Sequence, residues 1–198
     1  MAAIALPTCP VPNEAETFLR TFGGILVPFM GGPDQNLNRL GTRIGVRFFM
    51  PSLDNDEMRA FIARLMRAKQ VGAIMNYPLF DFDPGSPPAP KISIASTGTA
   101  LSVSGLGPDY LVQEGQPFSV VHDGVRYMHF ATGDVAAGPT GNAVISIFPP
   151  TRVTYAVNDV LEIVEPKIEG NISPGDEQAW RTALDNSTEV PFSIVERR

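Results

Sequence analysis

The chain has 198 residues, of which 43% are hydrophobic and 18% charged, and its formal net charge is −6. This length and apolar content fit one or two domains with a sizeable core, and they exclude a disordered chain. The basic residues form no cluster, so we expect neither a nucleic acid nor a membrane as a partner. Cys9 is the single cysteine, which excludes an intramolecular disulfide and a cysteine-based metal site.

The first 40 residues are rich in proline and show little periodicity. Within them, the apolar run from Ile25 to Phe29 predicts a short strand, and the Gly-Gly-Pro-Asp sequence that begins at Gly31 predicts a turn after it. We interpret this leader as an arm that lies on a neighbouring molecule or as a loosely packed edge.

Residues 42–50 read T-R-I-G-V-R-F-F-M and alternate with a period of two. This pattern predicts a strand with one buried face. The side chains of that face are Ile44, Val46, Phe48 and Met50. Phe49 lies on the opposite face, which indicates that this side also meets an apolar surface.

A helix is predicted after Pro51. Asp54 and Glu57 have the spacing of a capping box, and Lys69 lies in the last turn, where a cation suits the helix dipole. Gly72 predicts the helix end. The apolar side chains that follow each other at helical spacing are Met58, Phe61, Ile62 and Leu65.

Another strand is predicted from Val71 to Phe82, and the D-P-G-S-P-P sequence that begins at Asp83 predicts a domain boundary. Beyond it, short strands at regular spacing predict a compact β-barrel or sandwich. Its clearest feature is a hairpin in which Asp123-Gly124 connects residues 118–122 to residues 125–131. The other strands are predicted at 92–95, 101–104, 143–148 and 160–164.

The chain after Pro166 is predicted to form a turn-rich join and then a short helix near residues 175–184. A closing strand follows, with Val190, Phe192 and Ile194 on one face. Because Pro191 has no N–H to donate, it predicts an edge or a bulge at the start of this strand.

The candidate chemical groups form no catalytic or metal-binding set. His122 and His129 have no third histidine beside them, and we interpret both as surface or rim residues of the hairpin. Asp81 and Asp83 alternate as in a calcium loop, but the remaining ligands are missing, so we interpret them as solvated turn acids. Cys9 has no helix start or basic neighbour that would activate it. We therefore predict no enzyme, no cofactor and no metal.

Three stretches of the chain resemble a known family. The first reads P-F-M-G-G-P-D-Q-N from Pro28 and continues through the strand, the proline and the acidic helix start. The second runs from Glu114, E-G-Q-P-F-S-V-V-H-D-G-V, to the I-F-P-P that ends at Pro150, and the third is the closing E-V-P-F-S-I-V-E. Together they cover about two-fifths of the chain. They resemble the distal tail proteins of long-tailed, siphovirus-type bacteriophages.

This resemblance implies a mainly β protein of the α+β class with one helix. A β-sandwich or split-barrel belt domain, residues 1–90 plus 165–198, would carry a small inserted β-barrel or sandwich, residues 91–164. The belt would assemble into a ring, usually a hexamer, that joins the tail tube to the hub and the receptor-binding fibres of the virion. The protein would be made in the cytoplasm of the host bacterium, without catalysis or a cofactor.

Four phenylalanines are candidates for the interface with other subunits or partners, with burial in the core as the alternative for each. They are Phe29, Phe49, Phe80 and Phe82. Two other functions stay open. One is a carbohydrate- or host-receptor-binding module whose working part is residues 91–164, and the other is a small hydrolase that uses His122, His129 or Asp83.

Overall fold

A computed structural model describes residues 3–8, 10–37, 41–173 and 190–197. In this part of the chain, a closed six-stranded barrel, an open six-stranded sheet and two two-stranded sheets accompany one helix. The predicted class, mainly β with one helix and a small barrel, is therefore confirmed. The helix predicted near residues 175–184 lies outside the described residues.

In chain order, the elements are β1 Ile4–Ala5, β2 Glu14–Arg20, β3 Gly24–Leu26, β4 Gln35–Leu37, β5 Arg43–Met50, α1 Asn55–Val71, β6 Ala73–Asn76, β7 Lys91–Ile92, β8 Ala100–Ser104, β9 Leu111–Val112, β10 Pro117–His122, β11 Val125–Ala131, β12 Val135–Ala136, β13 Ala143–Phe148, β14 Val160–Glu162, β15 Lys167–Ile172 and β16 Val190–Glu196.

The open sheet has the strand order β1-β6-β15-β16-β5-β2, and helix α1 packs on it. Its strands come from both sides of the chain segment that forms the barrel, and the closing strand β16 pairs with β5. In the core between helix and sheet, the ring of Phe192 stacks on that of Phe48 with centroids 5.3 Å apart and meets that of Phe61 edge-on at 5.7 Å. Aromatic pairs at such distances add to the free energy gained by burial.

Strand β5 confirms the predicted alternation, because the side chains of Ile44, Val46, Phe48 and Met50 are all buried. On the other face, the ring of Phe18 lies where a Cβ on Gly45 would be, so glycine lets the edge strand β2 cover this face.

Helix α1 begins at Asn55 and ends at Val71, close to the prediction. The predicted capping box does not form. Asp54 accepts a hydrogen bond from the Met58 N–H through its backbone carbonyl, and its side chain makes no capping hydrogen bond. Ala68, which the spacing did not single out, is fully buried, whereas Ile62 is only half-buried. Gly72, at φ 97°, closes the helix.

The strand predicted from Val71 to Phe82 is shorter in the structure. Strand β6 ends at Asn76, and the residues from Tyr77 onward leave the sheet. Pro78 explains the end of the strand, because its ring removes an N–H and restricts the preceding residue.

The turn-rich join predicted after Pro166 is wrong, because residues 167–172 form strand β15 between β6 and β16. Gly170 and Asn171 are unfavourable in strands, which explains the error. The structure gives the glycine a reason, since a Cβ at position 170 would overlap the backbone of Val195 in β16. Pro191 lies in the part of β16 that pairs only with β5 among the described residues, as expected for an edge position.

The barrel has the strand order β10-β11-β13-β8-β7-β14. The predicted β10–β11 hairpin is confirmed, and Asp123 and Gly124 have φ values of 49° and 75°, which suit a type I′ turn. The strands predicted at 92–95 and 160–164 are shorter than expected. The barrel interior is filled by buried side chains, which include Tyr155, Tyr127, Phe118, Ile92, Leu101, Leu106 and Ile145.

Strand β11 is buried on both faces and joins the barrel to the open sheet. Tyr127 and Ala131 belong to the barrel core, whereas Met128 belongs to the core of the sheet, with Phe130 packed against it. Successive side chains of a strand point to opposite faces, so one strand serves both cores.

Glu196 ties the two bodies together at the end of β16. One carboxylate oxygen accepts a hydrogen bond from the Met128 N–H at 2.7 Å, and the other accepts from the Ile44 N–H at 3.1 Å. Arg152 lies 2.9 Å from the second oxygen. Burial raises the pKa of Glu196, although Arg152 and the two N–H groups oppose that effect.

A second set of charges joins the same two bodies. The guanidinium of Arg126 on β11 contacts Glu162 at 2.9 Å, and the backbone N–H of Arg126 donates to Glu169 on β15. Glu169 also accepts from Arg197 at 3.0 Å. Burial opposes ionisation of Glu162, but hydrogen bonds from Arg126 and Ser119 outweigh it and lower the pKa of this carboxyl.

Candidate functional site

The most exposed apolar feature is the β3–β4 hairpin, residues 24–37, which we call the arm. Its sequence is G-I-L-V-P-F-M-G-G-P-D-Q-N-L. Within the described residues, β3 and β4 pair with each other and with no other strand. A turn connects them, in which Gly31 donates its N–H to the carbonyl of Pro28 at 3.2 Å.

The large apolar side chains of the arm are exposed to solvent. Phe29 is fully exposed at 101% and Met30 at 93% of their reference surfaces. The other exposed apolar residues of the arm are Ile25, Leu26, Val27 and Leu37. A two-stranded hairpin without packing against another layer is marginally stable in water. The arm therefore has the apolar composition of a buried hairpin, but its apolar side chains are exposed.

The base of the arm is held by the open sheet. The guanidinium carbon of Arg43, the first residue of β5, lies 5.6 Å from the ring centroid of Phe22, which precedes β3. A cation over an aromatic face at this distance is attracted by the ring quadrupole. The arm thus leaves the edge of the sheet just after β2.

A cleft of about 350 Å³ lies between the segment after β6 and the barrel, and we call it the junction cleft. Its aromatic lining comprises Tyr77, Phe80, Phe82 and Phe130. The barrel side contributes residues 113–117. A neighbouring apolar groove of about 220 Å³ shares Tyr77, Pro78 and Leu79 with the cleft. The two hollows are therefore neighbours that share one wall, the segment of residues 77–79.

Hydrogen bonds fix the walls of the junction cleft. The hydroxyl of Tyr77 lies 3.0 Å from that of Thr17 on β2, and its ring packs edge-on against Phe130 with centroids 6.0 Å apart. On the barrel side, the buried amide of Gln116 donates to the Tyr110 hydroxyl at 3.0 Å. Because these anchors come from both the sheet and the barrel, the cleft has a defined shape.

The four predicted interface residues occupy three places. Phe29 is at the tip of the arm, and Phe80 and Phe82 line the junction cleft together, with Phe80 51% exposed. Phe49 is half-buried on β5, between Glu14 of β2 and Pro191 of β16. Met30 and Tyr77 were not among the candidates. The unbroken apolar run before Gly31 was a signal for Met30, since a short exposed hairpin cannot bury both of its faces.

His129 corrects the prediction that both histidines are surface or rim residues. It is buried in the barrel, where its Nδ1 lies 2.8 Å from the carbonyl oxygen of Pro149 and its Nε2 lies 2.6 Å from the hydroxyl of Tyr155. Since a carbonyl only accepts, Nδ1 donates and Nε2 accepts from the tyrosine. The pKa of His129 is lowered to about 4, mainly by burial. The hydrogen bond to Pro149 opposes this lowering, and the Arg152 charge adds to it.

His122 is also partly enclosed. Its Nδ1 lies 2.7 Å from Asp159 Oδ2, and its Nε2 lies 3.5 Å from Asp123 Oδ2. Among the described residues, neither imidazole has a serine, threonine or cysteine as a hydrogen-bond partner. Asp83, the third residue of the hydrolase alternative, accepts a hydrogen bond from the Gly85 N–H at 2.8 Å, which is a turn contact.

The metal-ligating side chains of the described residues are scattered. No group of three or more histidine, cysteine, aspartate or glutamate side chains is arranged to hold a metal ion in residues 3–8, 10–37, 41–173 and 190–197. In the same part of the chain, no helix has the length and apolar character to cross a membrane. Comparison of the sequence with protein-family models and with curated proteins finds no match.

Proposed function

We propose that this chain is a structural virion protein of a bacteriophage tail tip. In this proposal, its copies assemble into a closed ring, a hexamer as in the distal tail proteins that the sequence resembles. The ring joins the tail tube protein to the hub and fibre proteins, and the protein is made in the cytoplasm of the host bacterium. No catalytic step is part of this role.

The arm is the observation that carries the proposal. The six apolar residues of the arm keep between 39% and 101% of their reference surfaces exposed, so the exposed area is of the same order as the ~800 Å² that one partner contributes to a standard specific interface. Contiguous exposed apolar surface of this size is typical of interaction sites. In an assembly, a neighbouring subunit can bury such a surface and so stabilise the arm.

The fold supports the same role. The barrel and the sheet are joined by a shared strand and by the buried carboxylates of Glu169 and Glu196. A rigid connection of this kind suits a subunit that transmits load between its neighbours. The buried polar groups of the barrel, His129 among them, take part in hydrogen bonds that hold the structure.

Light scattering coupled to gel filtration tests the proposal. We expect the purified protein to form a discrete cyclic oligomer, alone or together with tail tube protein. The double variant Phe29→Ser/Met30→Ser should be a folded monomer, because the tip of the arm has lost its apolar side chains. The matched control Ile94→Ser changes an exposed apolar residue of the barrel and should keep the oligomer. A wild-type protein that is monomeric at every concentration, with and without tail tube protein, contradicts the proposal.

A further inference from the structure

We propose that the arm of one copy inserts into the junction cleft of the next copy, so that the ring is built from one repeated head-to-tail contact. This inference rests on the proposed ring and adds its contact surfaces. The occupant of the cleft is thus a second copy of this chain, with the tip of the arm, Phe29 and Met30, placed among the aromatic side chains of the cleft.

The chemistry of the two surfaces is complementary. The arm offers a phenyl ring and a thioether at its tip, and the cleft offers the rings of Tyr77, Phe80 and Phe130. Aromatic rings pack well against each other in edge-on or offset arrangements, and methionine sulfur makes favourable contacts with ring edges. The apolar side chains of the arm and the aromatic rings of the cleft can therefore bury each other.

The low charge of the two surfaces also favours contact between the arm and the cleft. Asp34 is the single charged residue between positions 24 and 37, and Glu114 is the single charged residue among those that line the cleft. Contact between the arm and the cleft therefore buries no cation and requires no ion pair. A further hollow, beside helix α1, is less suitable because Glu57 and Arg64 line it.

The area that is available also fits a stable contact. Six large apolar residues of the arm are exposed, two of them almost completely, and their exposed area is on the order of the ~800 Å² that one side of a standard interface buries. The cleft of about 350 Å³ and the groove of about 220 Å³ are neighbours, so apolar surface is available beyond the area that the two residues of the tip would cover. The shared segment of Tyr77, Pro78 and Leu79 would lie under the body of the arm.

Different surfaces of the two copies meet in this contact. A contact between unlike surfaces is heterologous, so each copy uses its arm once and its cleft once, and a chain of copies closes into a ring when the rotation permits. Contact between two arms would be isologous instead and would end at a dimer. Arm-to-cleft contacts therefore give a ring, whereas arm-to-arm contacts give a dimer.

Mixing two variants tests the contact directly. Phe29→Asp damages the arm and leaves the cleft intact, whereas Phe80→Asp damages the cleft and leaves the arm intact. Each variant alone should be a monomer, with association weakened more than about thirtyfold, as for the loss of a central interface residue. An equimolar mixture should form a heterodimer, because one intact arm and one intact cleft remain. Ile94→Asp, on the barrel surface, should assemble like the wild type.

The outcomes separate this inference from the proposed ring. If Phe80→Asp assembles like the wild type while Phe29→Asp does not, the ring stands and the cleft assignment is overturned. If the mixture stays monomeric although both variants melt like Ile94→Asp, the head-to-tail contact is overturned. A wild-type protein that is monomeric under all conditions overturns both proposals.

A disulfide experiment provides a second measurement that does not depend on damaged side chains. Met30→Cys and Gln113→Cys place one thiol at the exposed tip of the arm and one at the rim of the cleft, in a Cys9→Ser background. Under mild oxidation, the double variant should form covalent ladders up to the full ring, and each single variant should form at most a dimer. A double variant that gives no species beyond those of the single variants overturns the contact.

Discussion

At the scale of single residues, His129 makes the stability of the protein depend on pH. Its folded-state pKa of about 4 lies below the ordinary value of 6.5. The unfolded chain therefore binds the proton more tightly than the folded chain. The contribution of neutral His129 to the free energy of unfolding is complete above pH 6.5 and is lost as the pH falls towards 4. A difference of about 2.5 pKa units, at about 1.4 kcal/mol each, makes the loss about 3 kcal/mol.

Chemical denaturation at about pH 7.5 and about pH 4.5 measures this loss. In His129→Gln the pH dependence should be smaller by about 2 to 3 kcal/mol, because glutamine does not titrate. Glu196 is present in both proteins, so its contribution to the pH dependence cancels when the variant is compared with the wild type. The pKa of that group is raised, so its effect on stability has the opposite sign and is lost as the pH rises. Equal pH dependence in both proteins would show that His129 is not a buried neutral group.

Glu196 links strands of the barrel and of the open sheet. Its carboxylate serves the N–H groups of Met128 and Ile44 as well as the guanidinium of Arg152. In Glu196→Gln, an amide NH2 group that cannot accept replaces one carboxylate oxygen beside these donors, and the largely enclosed Arg152 loses its counter-charge. We expect a loss of about 3 kcal/mol in the free energy of unfolding, measured with urea.

An exposed ion pair provides the control for Glu196. Arg47 and Glu16 are 2.6 Å apart, and about half of each side chain is exposed. Glu16→Gln should change the free energy of unfolding by less than about 0.5 kcal/mol, because solvent screens such pairs. Similar losses for the two glutamine variants would mean that the burial of Glu196 has no special role.

At the scale of elements, Gly170 determines how closely β15 and β16 approach. A Cβ at this position would overlap backbone atoms of Val195, and backbone cannot move aside as a flexible side chain can. Gly170→Ala should therefore destabilise the protein by about 3 kcal/mol or more. At Gly133 a Cβ would meet nothing within 4 Å, so Gly133→Ala should stay within about 0.5 kcal/mol of the wild type. Urea midpoints of the two variants test this, and equal midpoints would contradict it.

The elements also show which local signals carry through to the structure. Strand β5 and helix α1 were predictable because each has one apolar face, and a period of two or of 3.6 residues records that face directly. The β10–β11 hairpin was predictable because Asp-Gly suits the positive φ values of its turn. These elements depend on residues that are close in sequence.

Strand β15 and His129 were not predictable for a related reason. Gly170 is favourable in β15 only because β16 lies against it, and β16 comes later in the chain. His129 faces the barrel core because β11 is covered on both sides, by the barrel and by the sheet. The run Y-M-H-F within β11 was a signal of this double burial, since a strand with one wet face alternates instead.

At the scale of the whole molecule, the candidate site combines predictable and unpredictable parts. The exposed position of Phe29 follows from an apolar run between prolines and glycines that has no partner run nearby. The junction cleft does not follow from any single stretch, because Tyr77 and Phe80 meet Gln113 and Phe130 only once the barrel has packed on the sheet. Surfaces that arise between two folded bodies leave no local pattern in the sequence.

The response of the assembly to salt follows from the charge of the whole molecule. Each copy has a formal net charge of −6, so neighbouring copies repel each other, whereas the arm carries a single charged residue, Asp34. Raising the salt from about 0.1 M to about 1 M shortens the Debye length from about 10 Å to about 3 Å and screens this repulsion. Apolar contact needs no ion pair, so added salt should leave it intact.

Light scattering in sodium chloride and in sodium sulfate measures this response. We expect the oligomer to persist at high salt and its dissociation constant to fall, more in sulfate, which strengthens apolar burial because it is excluded from protein surfaces. The variant Asp34→Asn should assemble like the wild type, since the arm depends on its apolar side chains. An oligomer that dissociates as salt is added must be held by ion pairs, and the interface would then lie on the charged surface outside the arm and the junction cleft.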